Sequence, residues 1–140
     1  MNVLLDFELL VLLAVANGVP LFAKRLFGDA ASRALEGGAR WRGKPVFGPS
    51  KTIRGIATAF VATPVVALLL GLPAPLGLFV ALGAMAGDLI SSFVKRRLGM
   101  PPSSQAPGLD QIPESLLPAL LVALVLRRDT QAGLRRARRA

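Results

Sequence analysis

One segment of the chain combines a carboxylate, two hydroxyls and two cations at the spacing of a single helix face. Its members are Asp88, Ser91, Ser92, Lys95 and Arg96. No charged residue lies between Gly55 and Gly87, so Asp88 follows a long apolar stretch. A carboxylate inside a membrane is costly and usually functional; the alternative is an interfacial Asp paired with Lys95 or Arg96. The functional interpretation predicts a divalent-cation site at Asp88 and phosphate contacts at the basic end.

A second segment places hydroxyls, glycines and cations at the start of an apolar stretch. Its members are Gly48, Ser50, Lys51, Thr52, Arg54 and Gly55. A helix N-terminus offers free N–H groups and the positive end of a dipole, and both favour phosphate. The segment is not a P-loop, because Pro49 and Ser50 separate Gly48 from Lys51. It predicts either a phosphate contact or a cytoplasmic cap on a transmembrane helix.

A third segment adds Asp110 and Glu114, which share a helix face if a helix begins near Ile112. Together with Asp88 they give three carboxylates, and Mg²⁺ prefers such hard oxygen ligands together with substrate phosphates. The alternative is helix capping, since an acidic residue suits a first turn. Asn17, in an earlier apolar segment, predicts either a helix–helix hydrogen bond or a substrate contact.

The composition restricts both the chemistry and the class of protein. The 140 residues are 53% hydrophobic, carry 17 Lys+Arg against 8 Asp+Glu, and include no His and no Cys. Disulfides, zinc sites of the usual ligands and Cys or His nucleophiles are therefore excluded. A soluble nucleic-acid binder would spread its cations over a polar surface, so no nucleic acid is expected as a partner. Carboxylates and cations without Cys or His suit metal-assisted transfer of a phosphoryl-type group.

The elements that must position these residues are predicted membrane helices. The apolar pattern predicts helices over residues 3–22, 53–72 and 75–94. A fourth apolar segment, residues 115–126, is about 18 Å long as a helix and falls short of a bilayer core of about 30 Å. The predicted fold is all-α: a polytopic integral membrane protein with about four transmembrane helices, the last short or re-entrant.

The distribution of cations predicts the orientation in the membrane. Lys24 and Arg25 follow the first helix, which is the reverse of a secretory signal, so this helix is expected to be retained. The Lys/Arg excess places the N-terminus outside and residues 24–54 and 98–114 in the cytoplasm. We expect a multi-pass protein of the cell membrane, with one membrane-embedded domain over residues 1–126 and an active site facing the cytoplasm. The Arg-rich tail, residues 127–140, is not explained by this rule if the fourth segment spans.

Three segments, in order, resemble the CDP-archaeol synthases, the short branch of the CDP-diglyceride synthetase (phosphatidate cytidylyltransferase) superfamily. They are residues 48–55, 87–97 and 108–111, and the resemblance covers roughly residues 12–126. It implies an integral membrane enzyme that transfers CMP from CTP to a lipid phosphate, releases pyrophosphate and uses Mg²⁺. The product would be a CDP-archaeol-like or a CDP-diacylglycerol-like lipid.

The resemblance also implies residue roles. The implied catalytic residues are Asp88, Ser92, Lys95 and Asp110, and the implied metal ligands are Asp88 and Asp110. The implied substrate-binding residues are Asn17, Ser50, Lys51, Thr52, Arg54, Arg96, Arg97 and Gln111. The chain departs from the family at Pro113, where many relatives have a second Asp, so either Glu114 takes its place as a third metal ligand or the metal site differs. It also has room for four helices where five are expected.

Two other classes of protein share some of these features. A small multidrug-type transporter has a similar length and helix number, but it would centre on a buried carboxylate in an early helix. A non-catalytic membrane protein could bind anionic lipid through basic loops alone. A homodimer is a possible assembly in any of these cases.

Overall fold

Four helices and one short β-hairpin make up a computed structural model of the chain. It describes residues 3–28, 32–101, 104–106 and 108–137, with side chains from 4 to 124. The elements are α1 (Val3–Phe27), β1 (Arg40–Trp41), β2 (Lys44–Pro45), α2 (Ile53–Leu69), α3 (Ala74–Arg97) and α4 (Gln111–Ala137). The prediction of an all-helical fold with four helices is confirmed, and the hairpin is its one addition within the described residues.

The helix ends differ from the predicted ones where charged residues continue a helix. α1 runs past Phe22 to Phe27 and takes in Lys24 and Arg25, because cations in a last turn offset the negative end of the helix dipole. α3 likewise continues through Arg97. α2 ends early, at Leu69.

The fourth helix keeps the predicted short apolar segment, but as part of a longer continuous helix without the turn of a re-entrant segment. α4 is a single helix of 27 residues that begins at Gln111 and continues to Ala137. At 1.5 Å per residue it is about 40 Å long, and its continuity leaves no turn at which residues 115–126 could dip and return. Only its first part, Gln111–Leu124, is apolar. The sequence pattern located the apolar part and missed the polar continuation of the same helix.

Two helices are long and apolar enough to cross a membrane, Leu4–Phe27 and Ala74–Arg97, and the shorter apolar helices are Ile53–Leu69 and Gln111–Leu124. Large apolar side chains on their outer faces are exposed, among them Phe22 at 70% and Leu69 at 79%. Contiguous exposed apolar surface is characteristic of a membrane-facing protein. The described chain therefore has the surface expected of a helical membrane protein.

Helix α3 lies at the centre of the bundle and packs against the other three helices. Its inner positions are small, and at two of them α4 comes very close. A Cβ added at Gly83 would lie 2.5 Å from the Cα of Pro118, and one added at Gly87 would lie 2.5 Å from the carbonyl carbon of Pro113. Small residues allow helix backbones to approach each other in this way. The close approach at Gly87 brings the start of α4 against Asp88.

The segment between α1 and α2 is folded rather than loose. β1 and β2 pair as a two-stranded hairpin whose tight turn has positive φ at Arg42 (52°) and Gly43 (77°), as a two-residue type I′ connection requires. The chain before the hairpin pairs with the entry to α2: the N–H of Leu35 donates to the Lys51 carbonyl at 2.7 Å. The loop is therefore attached directly to the residues that precede α2.

Glu36 holds this loop together from inside. One of its carboxylate oxygens accepts the N–H groups of Phe47 (2.6 Å) and Gly48 (3.1 Å). Hydrogen bonds to a charged acceptor contribute about 1.5–3 kcal/mol each. The segment that leads to Lys51 thus depends on a carboxylate that the sequence patterns did not single out.

We expect Glu36→Ala to loosen residues 47–53 while the helices stay folded, because two main-chain donors lose their acceptor. Hydrogen exchange at the amides of Phe47 and Gly48 should accelerate at least about tenfold, in line with the loss of one such bond. Glu36→Gln keeps one acceptor oxygen and should show a smaller change. Unchanged exchange at both amides in Glu36→Ala would contradict this account of the loop.

Candidate active site

A cavity of about 300 Å³ opens where α1 and α3 end and where α2 and α4 begin. Its polar lining residues are Asn17, Lys24, Ser50, Lys51, Thr52, Asp88, Ser92, Lys95, Arg96 and Glu114. Apart from Asn17 and Lys24 of α1, these residues come from the three segments that the sequence singled out. The cavity therefore joins the α2 entry, the charged face of α3 and the first turn of α4 in one place.

Helix α3 contributes the charged face that its spacing predicted. Asp88, Ser92, Lys95 and Arg96 all line the cavity, and Lys95 and Arg96 are only 8% and 4% exposed. Ser91 is buried beside them, and its hydroxyl donates to the carbonyl of Asp88 at 3.1 Å. Buried charges of this kind need partners, and each has one.

Asp88 is paired with Lys51 from the segment before α2. The sequence offered Lys95 or Arg96 as its alternative partner, and that alternative is wrong in this structure. Thr52 fixes the position of Lys51, because its hydroxyl caps α2 by accepting the N–H of Gly55 at 3.1 Å. The segment therefore caps α2, as one of its two predicted roles requires, and also supplies the cation that pairs with Asp88.

Lys95 pairs with a different carboxylate, Asp110, at 2.6 Å, and also donates to the Ser104 carbonyl at 3.0 Å. Burial alone would raise the pKa of Asp110, but the hydrogen bonds from Lys95 and from the Ala106 N–H hold that pKa below its usual value. Asp110 is therefore a stable counter-charge behind the cavity. It is not one of the residues that line it.

Asp88 and Glu114 both line the cavity, and their carboxyl groups lie close enough to interact electrostatically. Two carboxylates this close repel each other unless a cation or a proton lies between them. The three predicted metal ligands do not gather as one cluster: the described residues contain no group of three acidic, His or Cys side chains able to hold a metal ion. The pair formed by Asp88 and Glu114 is the part of the predicted set that converges.

Arg96 joins the loop to the cavity. Its guanidinium donates to the Pro101 carbonyl at 2.8 Å, and its side chain passes along Gly48, where an added Cβ would lie 3.7 Å from the Arg96 Cδ. Gly48 has a φ of 95°, which a side chain rarely adopts. The loop can therefore lie flat on a buried arginine.

Arg97 was predicted to bind substrate, but it is not among the residues that line the cavity. Its guanidinium donates to the carbonyls of Trp41 (2.5 Å), Pro45 (2.7 Å) and Lys44 (3.3 Å). The Cζ atom of Arg97 also lies 5.1 Å from the centre of the Phe93 ring, a cation–π distance. Arg97 thus attaches the hairpin to the end of α3.

Two further predicted substrate contacts lie outside the cavity lining. Arg54 donates to the Gly28 carbonyl at 2.8 Å, and Gln111 is exposed at the start of α4. Sequence reasoning missed one cation that does line the cavity, Lys24. It lies two helical turns after Asn17 on the same face, a spacing that could have revealed it.

The helical bundle has a membrane-type surface, and its cavity gathers cations and carboxylates at the helix ends. These features define an intramembrane protein with a site suited to phosphate groups. The chain belongs to the CarS-like CDP-archaeol synthase family, whose profile matches residues 11–131. The resemblance seen in the sequence is thereby confirmed.

Individual relatives agree with the family. CDP-archaeol synthase from Hyperthermus butylicus is 38% identical over 104 residues, covering 69% of this chain and 59% of the relative. The Pyrococcus furiosus enzyme of that name is 39% identical over 88 residues, covering 55% and 53%. The one from Methanopyrus kandleri is 40% identical over 107 residues, covering 71% and 61%. The chain thus spans little more than half the length of the curated relatives it matches.

A solved structure described as an intramembrane enzyme for archaeal membrane lipids biosynthesis has the same fold. It is 33% identical with a TM-score of 0.71, and the match covers 89% of this chain and 79% of that one. This likeness supports the membrane-embedded character of the bundle.

Proposed function

We propose that the chain is a cytidylyltransferase that transfers CMP from CTP to a lipid phosphate and releases pyrophosphate, forming a CDP-archaeol-like or CDP-diacylglycerol-like lipid. The observation that carries the proposal is the convergence of Lys51, Lys95 and Arg96 with the carboxyl pair of Asp88 and Glu114 around one cavity. The names of the related proteins point to the same reaction. CTP and a lipid phosphate together carry many negatively charged oxygens, and a cavity lined by cations suits such ligands.

The chemistry needs no nucleophile from the protein. An oxygen of the lipid phosphate forms a bond to the α-phosphorus of CTP, and the bond from that phosphorus to the bridging β-phosphate oxygen breaks. The negative charge of the leaving group ends on pyrophosphate. Lys51 and Arg96 would hold phosphate oxygens in line, since positioning and charge stabilisation supply most of the catalysis in such transfers.

The donor set at the cavity wall fits Mg²⁺. Asp88 and Glu114 offer hard carboxylate oxygens on the same cavity wall, and a cation bound there would relieve the repulsion between them. We propose that these two residues hold the ion, and that Asp110 supports the site through Lys95 instead of binding metal. When bound, Mg²⁺ would neutralise phosphate charge next to the α-phosphorus.

The deciding experiment is CMP transfer by purified protein in lipid nanodiscs. Radiolabelled CTP and Mg²⁺ are supplied with a dialkyl ether or a diacyl ester glycerol phosphate, and the lipid fraction is counted. Label should enter the lipid with at least one acceptor, disappear with EDTA and return with added Mg²⁺. No label with either acceptor would contradict the proposed reaction.

Neither alternative class fits as well. A small multidrug-type transporter would need a buried carboxylate in an early helix, whereas the acids of α1 are Asp6 and Glu8 near its start and α2 has none. A non-catalytic lipid binder gives no reason for Asp88 and Glu114 to meet inside a cavity. The comparisons with known proteins favour neither class.

We propose that the cavity faces the cytoplasm, because the cation-rich ends of α1 and α3 lie on its side of the bundle. The chain has no cysteine, so single cysteines can report the orientation. In intact cells a membrane-impermeant maleimide should label Pro73→Cys, between α2 and α3, and spare Ala39→Cys in the hairpin segment. Labelling of Ala39→Cys from outside would reverse the proposed orientation.

A further inference from the structure

We propose that Lys24 binds the phosphate of the lipid substrate, with one hydrocarbon chain of that lipid lying in a groove between α1 and α4. This inference rests on the proposed function and assigns the two substrates to different sides of the cavity. The nucleotide then takes the side formed by α3 and the segment before α2.

Among the described residues, Lys24 differs from the other cations of the cavity in having no hydrogen-bond or ion-pair partner. Lys51 is paired with Asp88, Lys95 with Asp110, and Arg96 with the Pro101 carbonyl. Lys24 makes no hydrogen bond or ion pair with any residue that the structure describes. Its charge is therefore available to an anion without breaking an existing contact. Of the cavity cations, Lys24 is the one that a phosphate can bind with the smallest free-energy cost.

An apolar groove of about 500 Å³ lies beside the cavity, along the same helices. α1 lines it with Leu9, Leu10 and Leu13, α4 with Pro118 and Val122, and α3 with Val80. This part of the bundle belongs to the apolar, membrane-type surface, where a groove is filled by hydrocarbon and not by water. The groove follows α1 from Asp6 to Leu13 and α4 from Ser115 to Ala123.

The groove and the cavity are consecutive on two helices. On α1, Leu13 lines the groove, and Asn17, one turn later, lines the cavity with Lys24 beyond it. On α4, Ser115 lines the groove and the preceding Glu114 lines the cavity. A nucleotide has no apolar tail to place in such a groove, but a lipid phosphate has both a tail and a charged head. The cation nearest the groove on α1 therefore suits the lipid phosphate.

The test measures binding, without turnover, for each substrate separately. A dialkylglycerol phosphate in mixed micelles and CTP in solution are titrated against Lys24→Gln and against Arg25→Gln, whose exposed side chain lines neither the cavity nor the groove. Lys24→Gln should weaken binding of the lipid phosphate by about tenfold or more, the size of one charged hydrogen bond, and leave the CTP affinity unchanged. Arg25→Gln should alter neither affinity.

A second variant tests the groove. Ala123→Phe fills a groove position on α4, with Leu120→Phe, on the exposed face of the same helix, as its control. Ala123→Phe should weaken the binding of the long-chain lipid phosphate but not the binding of soluble glycerol phosphate. Leu120→Phe should leave both affinities unchanged.

The outcomes separate this inference from the reaction itself. A fall in CTP affinity in Lys24→Gln, or no change for the lipid phosphate, would overturn the assignment of Lys24. If wild-type protein binds both ligands as expected and transfers no CMP, the proposed function fails and the binding assignment stands.

Discussion

Replacing Asp88 by Ala should lower the rate of CMP transfer by at least about a hundredfold, the scale seen when one charge-stabilising group is removed from an active site. Asp88 pairs with Lys51 and meets Glu114 at the same cavity wall. Its loss removes one proposed metal ligand and leaves Lys51 without its counter-charge. The effect should appear mainly in kcat, because the remaining cations still attract phosphate.

The matched control is Glu8→Ala, which removes a carboxylate near the start of α1, at the end of that helix away from the cavity. It should transfer CMP at close to the wild-type rate in the same radiolabel assay. Circular dichroism and size-exclusion profiles of the two variants should match the wild type, so that lost activity is not lost folding. Equal CMP incorporation by Asp88→Ala and wild type would remove Asp88 from the proposed site.

The second large effect is expected at Gly87, through packing instead of charge. An added Cβ would lie 2.5 Å from the Pro113 carbonyl carbon and 2.7 Å from the Glu114 nitrogen, both main-chain atoms that cannot turn aside. Gly87→Ala should therefore displace the start of α4 and separate Glu114 from Asp88. Overpacking of this kind costs about 1–3 kcal/mol, so the apparent melting temperature and the CMP transfer rate should fall together.

Gly18→Ala provides the control, since a Cβ at that helical glycine meets nothing within 4 Å. Ala is favoured over Gly in a helix by up to about 1 kcal/mol, so this variant should be as stable as wild type or slightly more stable. A Gly87→Ala protein as stable and active as Gly18→Ala would contradict the close contact between α3 and α4.

Much of the site could be predicted because helical spacing is local. The face that holds Asp88, Ser92, Lys95 and Arg96 follows from periodicity along one helix, and the structure keeps it intact. The position of Lys51 at the mouth of α2 follows from helix-capping chemistry in the same way. The helix face and the helix cap each depend only on residues close together in the sequence, so both can be recognised from the sequence alone.

What could not be predicted depends on contacts between distant segments. Nothing local indicates that Asp88 pairs with Lys51 instead of Lys95, or that Arg97 turns to the hairpin carbonyls. Glu36 looked like an ordinary loop acid because its two donors lie beyond a hairpin. The length of α4 was missed for another reason: its later residues are polar, and apolar periodicity cannot follow a helix into a polar stretch.

The pairing of cavity cations with carboxylates also affects how the charges meet the hydrocarbon. A single charge beside a low-dielectric medium has a long-range field and a high solvation cost. Lys51 with Asp88, and Lys95 with Asp110, each present a short dipole instead, and the field of a dipole falls off more steeply with distance. The bundle can thus place strongly charged groups at the edge of the bilayer with little electrostatic disturbance of the surrounding lipid.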